Sequence, residues 1–293
     1  MGESGSRLPA IGVNLRRLAE LSSRHLVIPR RLPRDLGGAR VYVSPGARLS
    51  VLQPRIERAD TELFRWARRF VRRGDTVWDV GANLGLFAFA AAGLAGPDAT
   101  VVAIEADTWL AGIIRRSARA GTREQGSVVG VPVAVSDTAG VAEFFLAARG
   151  RASNFMAGSA GSIETGGARL VDWVPTLTID CLAETLPPPD LIKIDVEGSE
   201  AAALRGAIDL LRTKRPVILV EVWKHNAGEV SRLLTDLDYR LYDIDGGRGA
   251  IPLPTKTATY NTLAWPSQRG CSPSEAHNGP AGLPRPTPPG LRG

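Results

Sequence analysis

Between residues 76 and 222 the chain alternates two hydrophobic rhythms. Short, mainly apolar runs recur as TVWDV (76–80), TVVAIEA (100–106), SVVGVPVAVSD (127–137), DLIKIDV (190–196) and PVILVEV (216–222). Runs of this length and composition predict strands buried on both faces. Between them, apolar residues at three- and four-residue spacing predict helices over about 84–94, 108–120, 199–212 and 228–237. AEFFLAA (142–148) reads as a hairpin-like strand, and YRLYDID (239–245) and ATYNTLAW (258–265) close the series. The alternation predicts an α/β fold: a mostly parallel sheet with helices on both faces. No internal repeat is visible.

The flanks read differently. ADTELFRWARRFVRRGD (59–75) predicts an amphipathic helix capped by Asp60 or Thr61, with Leu63, Trp66, Ala67 and Phe70 on one face and Gly74 as its stop. ARVYVSP (39–45) reads as a short strand. Residues 1–36 are polar, rich in Arg and broken by Pro29 and Pro33, which predicts a basic arm with a short helix near 14–22 and an irregular connector. Residues 266–293 are rich in Pro, Gly and Ser without apolar periodicity, which predicts a disordered tail. The folded domain is thus expected over 37–265.

Composition narrows the classes. Of 293 residues 44% are hydrophobic, enough for a full core. No apolar run reaches the length of a membrane span, and the first residues lack the apolar region of a signal peptide. Cys181 and Cys271 form neither a disulfide framework nor a metal pattern, so a reducing cytoplasm is the expected setting. The net charge is +6, and Lys occurs only at 193, 214, 224 and 256. Such an excess of Arg beside many Ala and Gly is the mark of GC-rich coding, and no aromatics interleave the Arg cluster over 15–35, so no nucleic-acid partner is expected. The oligomeric state cannot be read.

The chemistry starts at DVGANLG (79–85), where the first strand of the alternation meets its helix. Gly81 admits backbone conformations closed to other residues and lets a ligand approach the main chain; Gly85 opens the helix. Glu105, about 20 residues past the turn at the end of the next strand, stands where a carboxylate grips a ribose diol. Two nucleoside cofactors suit this geometry. The dinucleotide fingerprint G-x-G-x-x-G is unmet, because Asn83 and Leu86 stand at its second and third glycines. S-adenosyl-L-methionine carries no phosphate, and Asp79 suits its ammonium and sulfonium while opposing a pyrophosphate.

DVGANLG, VAVSDTAGVAEFF, VPTLTIDCL, PDLIKIDVEGSEAAALRGA and PVILVEV, in this order and spacing, resemble the FkbM family of S-adenosylmethionine-dependent methyltransferases. The resemblance spans about 60–266 and implies a Rossmann-like class I methyltransferase fold with a seven-stranded sheet whose last strand is antiparallel. It implies methyl transfer to hydroxyl oxygens of sugars or natural-product scaffolds. Asp79, Gly81, Asn83 and Gly85 would then hold the methionine part, Glu105 the ribose, and Ser136 and Asp137 would lie near the adenine. Ile179-Asp180 departs from a frequent Leu-Asp in the family. RGRASNFMAGSAGSIETGG (149–167) carries little helix or strand signal and reads as a substrate lid or a solvated insertion.

An alcohol becomes a competent nucleophile as its proton leaves, so a base is required. Asp195 ends LIKID and is the leading candidate. Glu197 serves either the site or the cap of the helix starting near Ser199. Glu221, inside an apolar strand, needs a partner, and Lys193 in the neighbouring strand is the expected one. His225 follows a strand's carboxyl end and is a second candidate base. The spacing of Asp195, Glu197, Glu221 and His225 permits a divalent cation without demanding one, so no metal is expected. The competing readings are an NAD(P)-dependent oxidoreductase on a similar sheet and a basic module bound to RNA or a membrane surface.

Overall fold

The computed structural model describes residues 26–147, 154–156, 168–246 and 252–267. The predicted helix over 14–22 and the tail beyond 267 lie outside them. Five parallel strands form the centre of the main sheet: β3 (Val77–Val80), β4 (Thr100–Ile104), β5 (Ser127–Val131), β10 (Leu191–Ile194) and β11 (Val217–Glu221). β14 (Asn261–Pro266) pairs antiparallel with β11, and β12 (Tyr239–Asp243) pairs antiparallel with β14. The spatial order β12-β14-β11-β10-β3-β4-β5 supplies the seven strands expected, with the last in sequence reversed. A short edge strand, β13 (Leu253–Thr255), adds an eighth that the pattern did not announce.

Alternation along each strand sorts side chains between two cores. Val77, Val101, Ala103, Leu191 and Leu219 face one side, with α1 (Thr61–Phe70), α2 (Leu86–Ala95) and α3 (Thr108–Arg119). Trp78, Val80, Val102, Ile104, Ile192, Ile194 and Val220 face the other, with α4 (Ile179–Ala183), α5 (Glu200–Arg205), α6 (Ile208–Thr213) and α7 (Ala227–Asp236). This period of two has a functional consequence. Asp79 and Lys193 share the α1–α3 side, so they stand side by side in neighbouring strands.

Several local expectations are corrected. α1 is capped by Asp60, which accepts from the Leu63 N–H at 3.0 Å, but it ends at Phe70, well before Gly74. Val71 turns extended there, and the Asp75 carboxylate takes the Arg72 N–H at 2.7 Å. The expected helix over 199–212 is two helices. Gly206 lies so close to Ser136 that a Cβ would stand 2.2 Å from its carbonyl oxygen, and Asp180 caps α6 across space, accepting from Asp209 and Leu210 N–H at 3.1 and 2.8 Å. The expected irregular connector contains β1 (Ile28–Arg31), paired with β2 (Arg40–Val43), and Leu36 is wholly buried.

A second sheet sits beside the mouth of the first. β7 (Gly140–Ala147) and β9 (Ala168–Leu177) form a long antiparallel ribbon, edged by β8 (Phe155–Met156) and β6 (Ala134–Val135). β9 went unrecognised in sequence, because a partly exposed ribbon strand carries no continuous apolar run.

Candidate active site

The order of the parallel strands reverses between β3 and β10: the chain runs outward through β4 and β5 and then returns to the other side of β3. Ligands of open α/β sheets bind beyond the carboxyl ends of the strands at such a point. The registers Val80↔Ile104, Val80↔Ile194 and Ile194↔Val220 place Glu105, Gly81, Asp195 and Glu221 in one row, each one step past the last apolar pair. Spacing of about 4.8 Å between strands makes this row about 14 Å long. A cleft opens over its Glu105–Asp195 part.

Three backbone features shape the floor. Gly81 has φ of 76°, and a Cβ there would sit 1.8 Å from the Asp195 carbonyl oxygen, so only glycine lets β3 and β10 close together at the switch point. Asn83 is also left-handed, with φ of 52°. Gly85 starts α2 from behind the turn and does not reach the cleft wall.

Glu105 is buried and faces the cleft. Its two oxygens accept the Asn83 and Asp107 N–H groups at 2.7 and 2.8 Å, which fixes the carboxylate against the glycine turn. Burial raises its pKa to about 7 despite those two hydrogen bonds. Asp79 stands behind the floor, fully buried, with Oδ2 accepting the Ala88 N–H at 3.1 Å. Its Oδ1 has no hydrogen bond and meets only the Lys193 ammonium at 3.5 Å. The other carboxylate against Lys193 is Asp195, 3.1 Å away. Burial disfavours the lysine's charge, but Asp195, Asp79 and Glu221 outweigh it and hold Lys193 above its usual range.

The expected Lys193–Glu221 ion pair is therefore replaced by an Asp79–Lys193–Asp195 triad. Glu221 forms no salt bridge with Lys193, and burial, then the charge of Asp195, raise it to about 7. Glu197 lines the cleft with φ of 47°, and burial followed by the charges of Asp195 and Glu221 raises it to about 8. Neither Asp195 nor Glu197 caps α5. No side chain caps it; Glu200, fully buried in its first turn, accepts the Gly198 N–H at 2.6 Å, and Asn226 ties it down through a 2.6 Å bond. Sequence reasoning missed Glu200 because it stands at an ordinary helical position.

Described residues of the insertion also form part of the wall. Asn154, Phe155 and Met156 line the cleft with Phe144 and Val133, Ala134 and Val135. Asn154 is buried; its Nδ2 donates to Asp107 Oδ2 at 3.0 Å and its Oδ1 accepts the Ala147 N–H at 3.0 Å. It thereby joins the second sheet to the Glu105 loop. Phe155 stacks on Phe145 with 5.1 Å between centroids. A lone Asn-Phe among small residues was the only signal for these side chains in the sequence. Ser136 and Asp137 do not reach the cleft wall: Asp137 pairs with Arg205 at 2.9 Å. His225 lies on the loop after β11 beside Trp223, also off the wall. Among the described residues, no group of His, Cys, Asp and Glu has the arrangement of a metal site, and no helix is long and apolar enough to cross a membrane.

The family model of the methyltransferase FkbM domain matches residues 79–241, more than half of the chain. The chain belongs to the FkbM methyltransferase family. The matched region begins at Asp79 and includes the switch point, the second sheet, Asp195 and Glu221. A hexuronic acid methyltransferase, AglP of Haloferax volcanii, is 26% identical over 183 residues, covering 61% of this chain and 69% of the relative. The structure of methyltransferase FkbM from Methylobacillus flagellatus KT aligns with 16% identity and a TM-score of 0.41 over 71% of this chain. This FkbM chain spans about half of that protein, 51% of its length. Precorrin-6y C5,15-methyltransferase of Geobacter metallireducens GS-15 aligns with 15% identity and a TM-score of 0.40, covering 73% of this chain and 90% of that one. The strand order of this FkbM domain is that of the Rossmann-like class I methyltransferases.

Proposed function

We propose that the chain methylates a hydroxyl oxygen of a sugar, glycan or natural-product small molecule, using S-adenosyl-L-methionine, with Asp195 accepting the hydroxyl proton. The observation that carries the reading is the single row of Glu105, Gly81 and Asp195 at the switch point, opening into the cleft. The donor set fits this cofactor. The cleft wall presents the acidic side chains of Glu105 and Asp195, with Glu197 largely protonated between pH 6 and 7, and neither Arg nor Lys among its described residues. Such a wall favours a ligand bearing a sulfonium and an ammonium and opposes a pyrophosphate, which disfavours the NAD(P) reading.

Glu105 would hold the ribose hydroxyls: each of its oxygens keeps a free lone pair beside the one given to a backbone N–H. The backbone at Gly81 and Asn83 would receive the methionine end, and Val133, Val135 and Phe144 give the base an apolar wall. Asp79 would contribute charge from beneath the floor. When bound, the cofactor supplies a methyl group already activated by its sulfonium.

The protein's own residues then orient the acceptor and move one proton. Lys193 anchors Asp195 Oδ2, which fixes the carboxylate at the centre of the row. An acceptor hydroxyl at that point loses its proton to Asp195 as its oxygen forms the new bond to carbon. Glu197, on the strained turn next to it, stays largely protonated near neutral pH and can donate a hydrogen bond to the acceptor. His225 is the second candidate base, on a loop that Asn226 fastens to the Gly198 carbonyl at 2.9 Å.

The sugar acceptor gains support from the hexuronic acid named for the Haloferax volcanii relative. The reading is tested with tritiated S-adenosylmethionine and a panel of sugars, glycans and extracts: label transferred by the wild type and lost in Asp195→Asn supports it. Transfer undiminished in Asp195→Asn refutes the assigned base.

A further inference from the structure

Asp195 leads into a tight turn that carries Glu197 onto the cleft wall. The Ser199 N–H closes the turn on the Val196 carbonyl at 3.2 Å, and both central residues are left-handed, Glu197 with φ of 47° and Gly198 with φ of 92°. Asn, Asp and Gly adopt such a pair readily, whereas a glutamate resists it. A backbone of this kind persists only where its surroundings over-determine it. Here Gly198 is gripped at both of its polar groups. Its N–H donates to Glu200 Oε1 at 2.6 Å, and its carbonyl accepts from Asn226 Nδ2 at 2.9 Å. The same nitrogen donates to Glu200 Oε2 at 2.6 Å, which closes a ring of hydrogen bonds around the turn. Asn226 stands at the N-cap of α7, where an Asn side chain ordinarily accepts from its own helix. It makes no such bond. Its backbone is anchored instead, with its N–H on the Trp223 carbonyl at 2.8 Å and its carbonyl on the Val230 N–H at 2.9 Å, so the side chain reaches the turn from a fixed base.

We propose that Glu200 and Asn226 are positioning residues for methyl transfer: together they hold the Val196–Ser199 turn in the conformation that keeps Glu197 on the cleft wall beside Asp195. The inference rests on the methyl-transfer reading above. Neither residue lines the cleft, so both act through Glu197. The ring also accounts for a wholly buried carboxylate in the first turn of α5. Burying Glu200 unpartnered would be costly, but each of its oxygens meets a donor. One donor comes from the turn after β10 and the other from the loop after β11, so the ring ties together the two loops that carry Glu197 and His225. Without it, only the Ser199–Val196 bond opposes the strain at residue 197, and the Glu197 side chain can leave the wall for solvent. The cofactor end of the row is held separately, since Glu105 is fixed by the Asn83 and Asp107 N–H groups.

The test compares the wild type with Asn226→Ala, which removes both Asn226 bonds of the ring and changes no charge. Carboxyl carbon NMR of glutamate-labelled protein follows Glu197 and Glu105, each resonance assigned by its loss in Glu197→Gln or Glu105→Gln. Asp195, Glu200, Glu221 and Lys193, the charged groups acting on Glu197, all remain in Asn226→Ala, so a changed titration reports displacement of the side chain. Glu197, raised to about 8 on the wall, is expected to fall toward the ordinary glutamate value of about 4.3, with Glu105 unmoved. Label transfer from tritiated S-adenosylmethionine to the panel of sugars, glycans and extracts is expected to fall about tenfold, with S-adenosylhomocysteine affinity within about twofold of the wild type. Asn226→Ser restores a side chain that can cap α7 but cannot reach Gly198, and it should behave as Asn226→Ala. An unmoved Glu197 titration, a joint change in Glu197 and Glu105, undiminished transfer, or wild-type behaviour of Asn226→Ser overturns the proposal. If the wild type transfers label and the variants fail these expectations, the positioning role falls alone. If the wild type neither transfers label nor binds S-adenosylhomocysteine, the methyl-transfer reading falls and takes the proposal with it.

Discussion

Lys193→Met tests the buried triad that organises the site. Methionine keeps the length and volume of the lysine stem and removes only the charge. Asp79, with 0% exposure, then keeps a single hydrogen bond from Ala88 and loses its only neutralising partner on Oδ1. Removing one member of a buried ion pair costs about 3–5 kcal/mol. For a domain of this size each kcal/mol moves the melting point by about 2–4 °C, so a fall of about 6–20 °C is expected. The pH dependence gives a second check. Without Lys193, burial and then the charge of Asp195 outweigh the Ala88 hydrogen bond on Asp79, and its pKa in the folded state rises further above the unfolded value near 4. A group raised on folding contributes stability at low pH and loses it as pH climbs through its folded pKa. The deficit of Lys193→Met should therefore shrink between pH 8 and pH 5.5, and adding Asp79→Asn should recover much of it at pH 8. The assay is thermal melting followed by Trp fluorescence at both pH values. A variant melting within about 2 °C of the wild type at pH 8, or with the same deficit at both pH values, would refute the reasoning.

Gly81→Ala must place its methyl 1.8 Å from the Asp195 carbonyl oxygen, so strands β3 and β10 must part; a loss of about 2–5 kcal/mol in urea unfolding is expected, together with loss of cofactor binding. Asp195→Asn should lower kcat by about 10²–10⁴-fold, with S-adenosylmethionine affinity nearly unchanged by calorimetry; a large loss of affinity instead would make Asp195 a binding residue. Glu197 and Glu221 are raised to about 8 and about 7, so their contribution to stability is complete in acid and lost as pH rises through those values. Urea midpoints should fall from pH 6 to pH 9, less steeply in Glu197→Gln. Asn154→Ala removes the bond to Asp107 and the partner of the Ala147 N–H; weaker cofactor affinity by about tenfold is expected, measured by calorimetry.

The strands of the parallel core were legible because burial on both faces writes itself as uninterrupted Val, Ile and Leu, and helix lengths followed from the apolar spacing between them. The row of Glu105, Gly81 and Asp195 was legible for the same reason: each residue follows directly on an apolar run, so its place at a strand's carboxyl end was fixed locally. What escaped depends on contacts between distant segments. The break at Gly206 is set by the Ser136 carbonyl, and Asp180 caps a helix that begins 28 residues later. Lys193 was assigned to Glu221 because both are charged in apolar strands. The register instead puts it opposite Asp79, a residue that had been read only as a ligand contact. Asn154 could not be singled out, because its meaning lies in its partner Asp107, far away in sequence.

Methyl transfer at the switch point requires that its cleft bind S-adenosylmethionine through Glu105. The direct measurement is isothermal titration of S-adenosylmethionine and S-adenosylhomocysteine into the wild type and Glu105→Ala, with NAD(P) as the control. The account predicts binding of both methyl-cycle ligands, affinity lower by about 10–100-fold in the variant, and no heat from NAD(P). Absence of binding by the wild type, or equal affinity in Glu105→Ala, would contradict it.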